Sequence, residues 1–195
     1  EDYVVKMRRE FHMYPEPGFK EVRTSKRIEE ELRSMGYELT TGIGVTGLIG
    51  TLVGNKEGKT VALRADIDAL CMQEENDVEY KSTIDGMMHS CGHDGHMAMA
   101  LGVIEHFASI KHKLKGNIKV IFQPGEENVG GAEPMIKLGV LEGVDYIFGY
   151  HIWPDVDQFK FGIADTVVMS AADAFDVKII GKGGHSGMPE RAINP

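Results

Sequence analysis

Three short segments of this 195-residue chain hold the residue types that could do chemistry. They are Met88-His89-Ser90-Cys91-Gly92-His93-Asp94-Gly95-His96, Gly125-Glu126-Glu127-Asn128 and Tyr150-His151-Ile152-Trp153-Pro154. A thiol, several imidazoles and a pair of adjacent carboxylates supply sulfur, nitrogen and oxygen donors suited to zinc or its first-row neighbours. One carboxylate then remains for acid/base work on a water or a leaving group. The pattern predicts a metal site that carries its own base.

Such donors need elements to hold them. Apolar residues from Val4 to Phe11 and from Val22 to Met35 recur at helical spacing, and the second run stops at Gly36, a residue suited to a helix C-terminus. Segments 47–53, 60–65, 118–122 and 146–151 are short, β-branched or aromatic, bounded by Gly, Asn or Pro, and read as strands. A long helix is expected over 95–110 with Asp94 as its N-cap, and a shorter one over 132–138. Lys6, Arg8 and Arg9 read as a solvated helix face, and Met87, Met88, Met97 and Met99 as core packing. Strands alternating with helices imply an α/β layer structure, with a mixed, mostly parallel sheet flanked by helices. Asp66 and Asp68, Glu126 and Glu127, and His151 each follow one of these strands, and sheets of this kind carry their sites at the C-terminal strand ends.

Composition narrows the class. With 42% hydrophobic and 26% charged residues, and no apolar run near the roughly 18 residues of a membrane span, the chain should bury a core of its own without a membrane. A formal charge of −9, with 21 Lys and Arg scattered along the chain, argues against a nucleic-acid partner, which needs a basic stripe. Two cysteines, Cys71 and Cys91, without a secretory leader, predict free thiols in the cytoplasm.

Taken together, six motifs resemble a known family. They are Arg9-Glu10-Phe11-His12 with Pro15-Glu16, the stretch from Leu63 through Arg64-Ala65-Asp66-Ile67-Asp68 to Leu70, Cys91-Gly92-His93-Asp94-Gly95-His96, Gln123-Pro124-Gly125-Glu126-Glu127, His151-Ile152-Trp153-Pro154, and Gly181-Lys182-Gly183-Gly184-His185. In this order and spacing they resemble the aminoacylase-like metallopeptidases, within them the amidohydrolase subgroup of hippurate hydrolase, auxin-conjugate hydrolases and N-acetyldiaminopimelate deacetylase. The resemblance implies a zinc-peptidase-like catalytic domain over 1–170 and the start of a smaller α+β lid and dimerisation domain over 171–195. It implies two divalent metal ions, zinc or manganese before cobalt or nickel, with Cys91, His93, Glu127 and His151 as ligands and Glu126 as general base. His185 would reach the substrate from the lid, and the full-length protein would be a homodimer acting on N-acyl amino acids. A fifth ligand, a histidine near the family's C-terminus, has no counterpart here, and the chain is expected to be the N-terminal half of such an enzyme. Cys71 stands where members carry a proline.

Elementary chemistry agrees with those roles. A Cys-x-His pair on a loop can bring sulfur and nitrogen to one ion, whose charge favours the thiolate, so Cys91 reads as a ligand rather than a nucleophile. Adjacent Glu residues on a non-helical loop point in different directions, letting Glu127 face the ions and Glu126 a water. Asp68, at a strand end, is suited to orient a ligand histidine from behind. His12, His89 and His96 read as structural or supporting, and His106 and His112 as helix-surface residues.

Blander readings exist for each residue. A lone Cys is commonly a small buried hydrophobe, an adjacent Glu pair a solvated loop, His151 a core histidine, and the glycine-rich segment around His185 a turn. Three other functions stand beside acyl-amino-acid hydrolysis: carboxypeptidase-like or dipeptidase-like cleavage, a catalytically silent metal-binding fragment, and thiol hydrolysis by Cys91 with His93 as base.

Overall fold

Both opening helices form where the apolar spacing puts them. In the computed structural model, which describes residues 2–127, 130–169 and 175–195, α1 spans Asp2–Met13 and α2 spans Val22–Ser34. Met7 and Phe11 on α1, and Ile28 and Leu32 on α2, are completely buried. Each pair is spaced i, i+4, which stacks two side chains on one helix face.

Five strands make one mixed sheet. They are β1 (Glu38–Ile43), β2 (Gly47–Val53), β3 (Lys56–Asp66), β4 (Lys115–Gln123) and β5 (Tyr146–Gly149), in the order β1-β2-β4-β3-β5. The β1–β2 and β2–β4 pairs are antiparallel, and the β4–β3 and β3–β5 pairs parallel. Strand β1 departs from the sequence expectation. Its residues carry no apolar alternation and only Ile43 is buried, so its strand character comes from hydrogen bonding to β2. In the parallel half, Asp66 lies opposite Gln123 and Arg64 opposite Gly149. The chain therefore leaves β3, β4 and β5 at one end of the sheet, toward Asp68, Glu126 and Glu127, and His151.

Helix α3 (His93–Ser109) starts two residues before the expected position, and α4 (Ala132–Lys137) is short. The N-cap of α3 is Gly92 rather than Asp94. Gly92 has φ 87°, a left-handed conformation that glycine adopts without steric cost. Asp94 sits in the first turn, its side chain engaged by Arg8 and His12. That contact also corrects the reading of Arg8 as part of a solvated face. Met97, Leu101 and Ile104 on α3 are fully buried in one cluster with Phe11, Leu32, Leu48, Leu52 and Phe122, whereas Met99 is 37% exposed and outside the core. Truncating a side chain such as Phe122 in so closed a core costs about 3–5 kcal/mol.

The chain divides into two compact units, Glu1–Trp153 and Pro154–Pro195. The second contains a 3-10 turn at Pro189–Arg191 and a bridge between Lys182 and Ile193. The boundary expected between residues 170 and 171 lies outside the described residues, as does Asn128. Among the described residues, no helix is long and apolar enough to cross a membrane.

Candidate metal centre

The left-handed turn at Gly92 sets Cys91 and His93 at the head of α3, beside the ends of the parallel strands. The His93 ring is buried and its Nδ1–H donates to the backbone carbonyl of Asp68 at 2.9 Å. That acceptor fixes a proton on Nδ1 and turns Nε2 to the opposite side of the ring, toward the carboxylates. His151 is arranged alike: Nδ1–H donates to the Ile152 carbonyl at 2.6 Å and Nε2 lies 3.4 Å from Cys91 Sγ. The Glu127 amide donates to Asp68 Oδ2 at 3.0 Å. From this turn, Glu127 Oε1 comes within 3.6 Å and Glu126 Oε2 within 3.8 Å of His93 Nε2.

Two of these atoms, His93 Nε2 and Glu127 Oε1, are buried without a hydrogen-bond partner among the described residues. Buried polar atoms are nearly always paired. At 3.6 Å, His93 Nε2 and Glu127 Oε1 are too far apart to satisfy each other by a direct hydrogen bond, and a cation between them would satisfy both. The donor atoms of Cys91, His93 and His151 lie within 4.8 Å of one another, as do those of His93, Glu126 and Glu127. The two sets share His93, and their mixture of sulfur, nitrogen and oxygen fits a divalent first-row ion.

A third cluster, Asp66, His93 and His96, is equally tight, but Asp66 and His96 are already engaged. His96 Nδ1–H donates to Asp66 Oδ1 at 2.7 Å, and its Nε2 accepts the Ile152 N–H at 2.9 Å. Asp66 Oδ2 accepts from Arg64 Nη1 at 2.7 Å. Asp66 and His96 are therefore scaffold. They tie α3 to β3 and to the segment just after His151, and Tyr150 adds a hydrogen bond from its hydroxyl to the His96 carbonyl at 2.6 Å.

This arrangement can be set beside known proteins. The profile of Peptidase family M20/M25/M40 matches residues 62–190, two-thirds of the chain and all of these donors. The chain belongs to that family. It is 46% identical over its whole length to thermostable carboxypeptidase 1 of Saccharolobus solfataricus, covering 50% of that protein. It is 42% identical, over 98% of its length, to the N-acyl-L-amino acid amidohydrolase of Geobacillus stearothermophilus, covering 52% of it. Among solved structures it resembles the YxeP protein of Bacillus subtilis, described as a dinuclear metal-binding peptidase of family M20. There the identity is 41% and the TM-score 0.75, over 78% of this chain and 43% of that one. The chain thus spans about half the length of the curated relatives it matches.

The electrostatics of the M20 site follow from this crowding. Burial, and then the carboxylates of Glu127, Glu126 and Asp66, push the Cys91 thiol up to about 12. Cys91 is then a thiol at neutral pH unless a cation offsets those charges. This disfavours thiol hydrolysis, and the imidazole beside Cys91 belongs to His151, not to the His93 proposed as its base. Burial works against the charge on Asp66, yet the hydrogen bond from His96 and the positive charge of Arg64 hold that carboxyl at about 2. Burial also opposes the charge on Asp68, and contacts with His93 and the amides of Glu127 and Glu126 keep its carboxyl below the ordinary range.

Of the residues singled out in the sequence, Cys91, His93, Glu126, Glu127, His151 and Asp68 come together in the first unit. His185 belongs to the second unit, where its side chain is exposed and Nδ1 accepts the Gly187 N–H at 3.1 Å. Arg64, which the sequence offers only as a member of the Leu63-to-Leu70 motif, pairs with Asp66. Its alternation with Asp66 on one strand face was the available signal that the two side chains would pair.

Proposed function

We propose that the protein containing this chain is a metal-dependent amidohydrolase that cleaves N-acyl amino acids. The observation that carries the reading is the buried, unpartnered pair of His93 Nε2 and Glu127 Oε1, ringed by Cys91, His151 and Glu126. Cys91, His93, Glu127 and His151 would hold divalent cations there, with zinc favoured over manganese by the thiolate and imidazole donors. Bound cations would supply Lewis acidity toward an amide carbonyl and toward the attacking water.

The chain's own residues divide the remaining work. Glu126 is 41% exposed against 18% for Glu127, so it is the carboxylate that can meet a water and a substrate. It takes the proton of the attacking water and returns it to the leaving nitrogen as the amide C–N bond breaks. Asp68 holds His93 and the Glu127 amide in register. His185, by the family resemblance, stabilises the developing oxyanion from the lid. The reading includes a domain boundary near residue 170 and a homodimer, both resting on that resemblance. It also includes a cytoplasmic location, in keeping with the free thiols of Cys71 and Cys91.

Peptide hydrolysis from a C-terminus is a second reading, favoured by the identity to a relative named as a carboxypeptidase. It differs only in the acyl part. Elemental analysis of the chain and its Cys91→Ser and Glu126→Gln variants tests the metal assignment. Amine release from N-acetyl and N-benzoyl amino acids and from dipeptides, measured on the full-length protein, tests the reaction. Expected are metal in the parent and in Glu126→Gln, loss of metal in Cys91→Ser, and loss of turnover in Glu126→Gln. A Glu126→Gln enzyme that turns over normally removes the assigned base.

A further inference from the structure

Glu21 is a buried carboxylate that this mechanism leaves unused and that no ion pair among the described residues explains. It is completely inaccessible to solvent, and among the described residues its hydrogen bonds come from neutral donors. Thr46 donates its hydroxyl to Oε2, and the Gly125 amide donates to Oε1 at 2.9 Å. Burial pushes the carboxyl above its ordinary range, and the Thr46 hydroxyl, with backbone amides including that of Gly125, pulls it part of the way back. A buried carboxylate without a cation is expensive to keep.

Helix capping does not explain it. Glu21 occupies the N-cap position of α2 but makes no capping hydrogen bond. The cap is supplied by Glu16, whose two carboxylate oxygens accept the Arg23 and Thr24 amides at 3.0 and 2.8 Å. The Glu21 side chain instead joins three segments distant in sequence: the start of α2, the turn between β1 and β2, and the turn entering Glu126 and Glu127. Ser25 strengthens the first joint by donating to the Thr46 carbonyl. At the third, Gly125 has φ 57°, which glycine tolerates, and its carbonyl accepts the Gly131 amide at 3.0 Å.

We propose that Glu21 is a positioning residue for the Glu126–Glu127 turn. Its carboxylate pins the Gly125 amide from the α2 side, while Asp68 pins the Glu127 amide from the end of β3. With amides held on both sides of Glu126, the two adjacent side chains have a fixed direction of departure. That is what brings both carboxylates within 4 Å of His93 Nε2. The inference rests on the metal reading for its consequence, but the anchoring itself does not.

The test uses the 195-residue chain with Glu21→Ala, Glu21→Asp and Glu21→Gln. Amide hydrogen exchange is followed by NMR, and zinc affinity by competition with a chelator. Losing a hydrogen bond to a charged acceptor should speed exchange at Gly125 and Glu127 in Glu21→Ala by about 10- to 100-fold, with β2 and β4 core amides within about twofold of the parent. Zinc affinity should fall about tenfold. Glu21→Asp keeps the charge but is one methylene too short to reach both Thr46 and Gly125, and should lose most of the same protection. Glu21→Gln keeps an acceptor for Gly125 and should change exchange less than about threefold. If Glu21→Ala does not fold, Glu21→Asp decides alone. Exchange at Gly125 within twofold of the parent, uniform loosening of the whole chain, or unchanged zinc affinity with a loosened turn each overturn the proposal. A parent that takes up no zinc refutes the metal reading instead, and the exchange data still decide whether Glu21 anchors the turn.

Discussion

His93 and Asp94 are consecutive in the first turn of α3, yet their side chains enter opposite kinds of surroundings. Asp94 Oδ2 accepts from Arg8 Nε at 2.8 Å and from His12 Nδ1 at 2.7 Å. His12 Nε2 in turn meets Glu74 Oε1 at 3.0 Å, and Glu74 also accepts from the Ser82 amide and from Asn76. The Arg8 guanidinium lies over the Tyr80 ring, 5.0 Å from its centroid. Every charge in this network has a partner. On the other side of the same turn, His93 Nε2 and Glu127 Oε1 have none among the described residues. The saturated network holds the head of α3 in place, and the unsaturated cluster uses that rigidity to keep mutually repelling donors together. Stability and binding capacity are thereby assigned to different side chains of one helical turn.

Substitutions on the two sides should therefore fail in different ways. Glu127→Gln should weaken zinc binding by at least about a thousandfold, roughly 4 kcal/mol, while leaving the metal-free melting temperature unchanged or higher because it relieves repulsion. Calorimetric titration and chelated melts check this, and a large drop in metal-free stability would show that the cluster is already satisfied by protein contacts. His12→Ala should do the reverse. Leaving Asp94 and Glu74 short of a partner in the interior costs about 3 kcal/mol of unfolding free energy, with zinc affinity moving less than about tenfold.

The response to pH should separate the two sides further. The His12 proton is held above the usual imidazole range, by the hydrogen bond to Asp94 against the cost of burial and with help from Glu74. Its contribution is fully present below the unfolded pKa of about 6.5 and is lost as pH rises through the folded value. Asp94 and Glu74 are held low despite burial, by contacts that include His12. Their contributions are present above about pH 4 and are lost as pH falls. Metal-free stability should peak between these limits and decline at alkaline pH. Zinc affinity should instead climb by about tenfold per pH unit between pH 6 and 9, since Cys91 must release its proton to ligate. Parallel pH profiles would erase the distinction. As the smallest effect, Arg33→Ala removes an exposed pair with Glu29 and should change stability by less than about 0.5 kcal/mol and zinc binding not at all.

The sequence was most legible where residue type constrains structure locally. Helices α1 and α2 and strands β2, β3 and β4 follow apolar periodicity, and the donors follow from clustered Cys, His and Glu. Contacts between distant segments were not legible. Asp94 reads as an N-cap because Asp is a favoured cap, and nothing local says that Gly92 takes that place while Arg8 and His12 engage the carboxylate. Strand β1 is specified by its partner rather than by its own pattern. Glu21 reads as an ordinary helix-start acid, and its engagement with Gly125, 104 residues on, exists only in three dimensions.

The parallel half of the sheet governs when the metal donors first meet. Cys91 and His151 are 60 residues apart in sequence, and Asp68 and Glu127 are 59 apart. They become neighbours only after β3 has acquired β4 and β5 through long crossovers. Closing such loops is an entropic cost borne before any contact rewards it, so these pairings are expected to form late on the folding path. An ion is therefore expected to meet the full donor set only in finished structure. Zinc should leave the folding arm of a denaturant chevron within about twofold and slow the unfolding arm in proportion to its occupancy. On the proposed reading, metal would act as a latch on finished structure, with its benefit measured in lifetime rather than in speed of assembly.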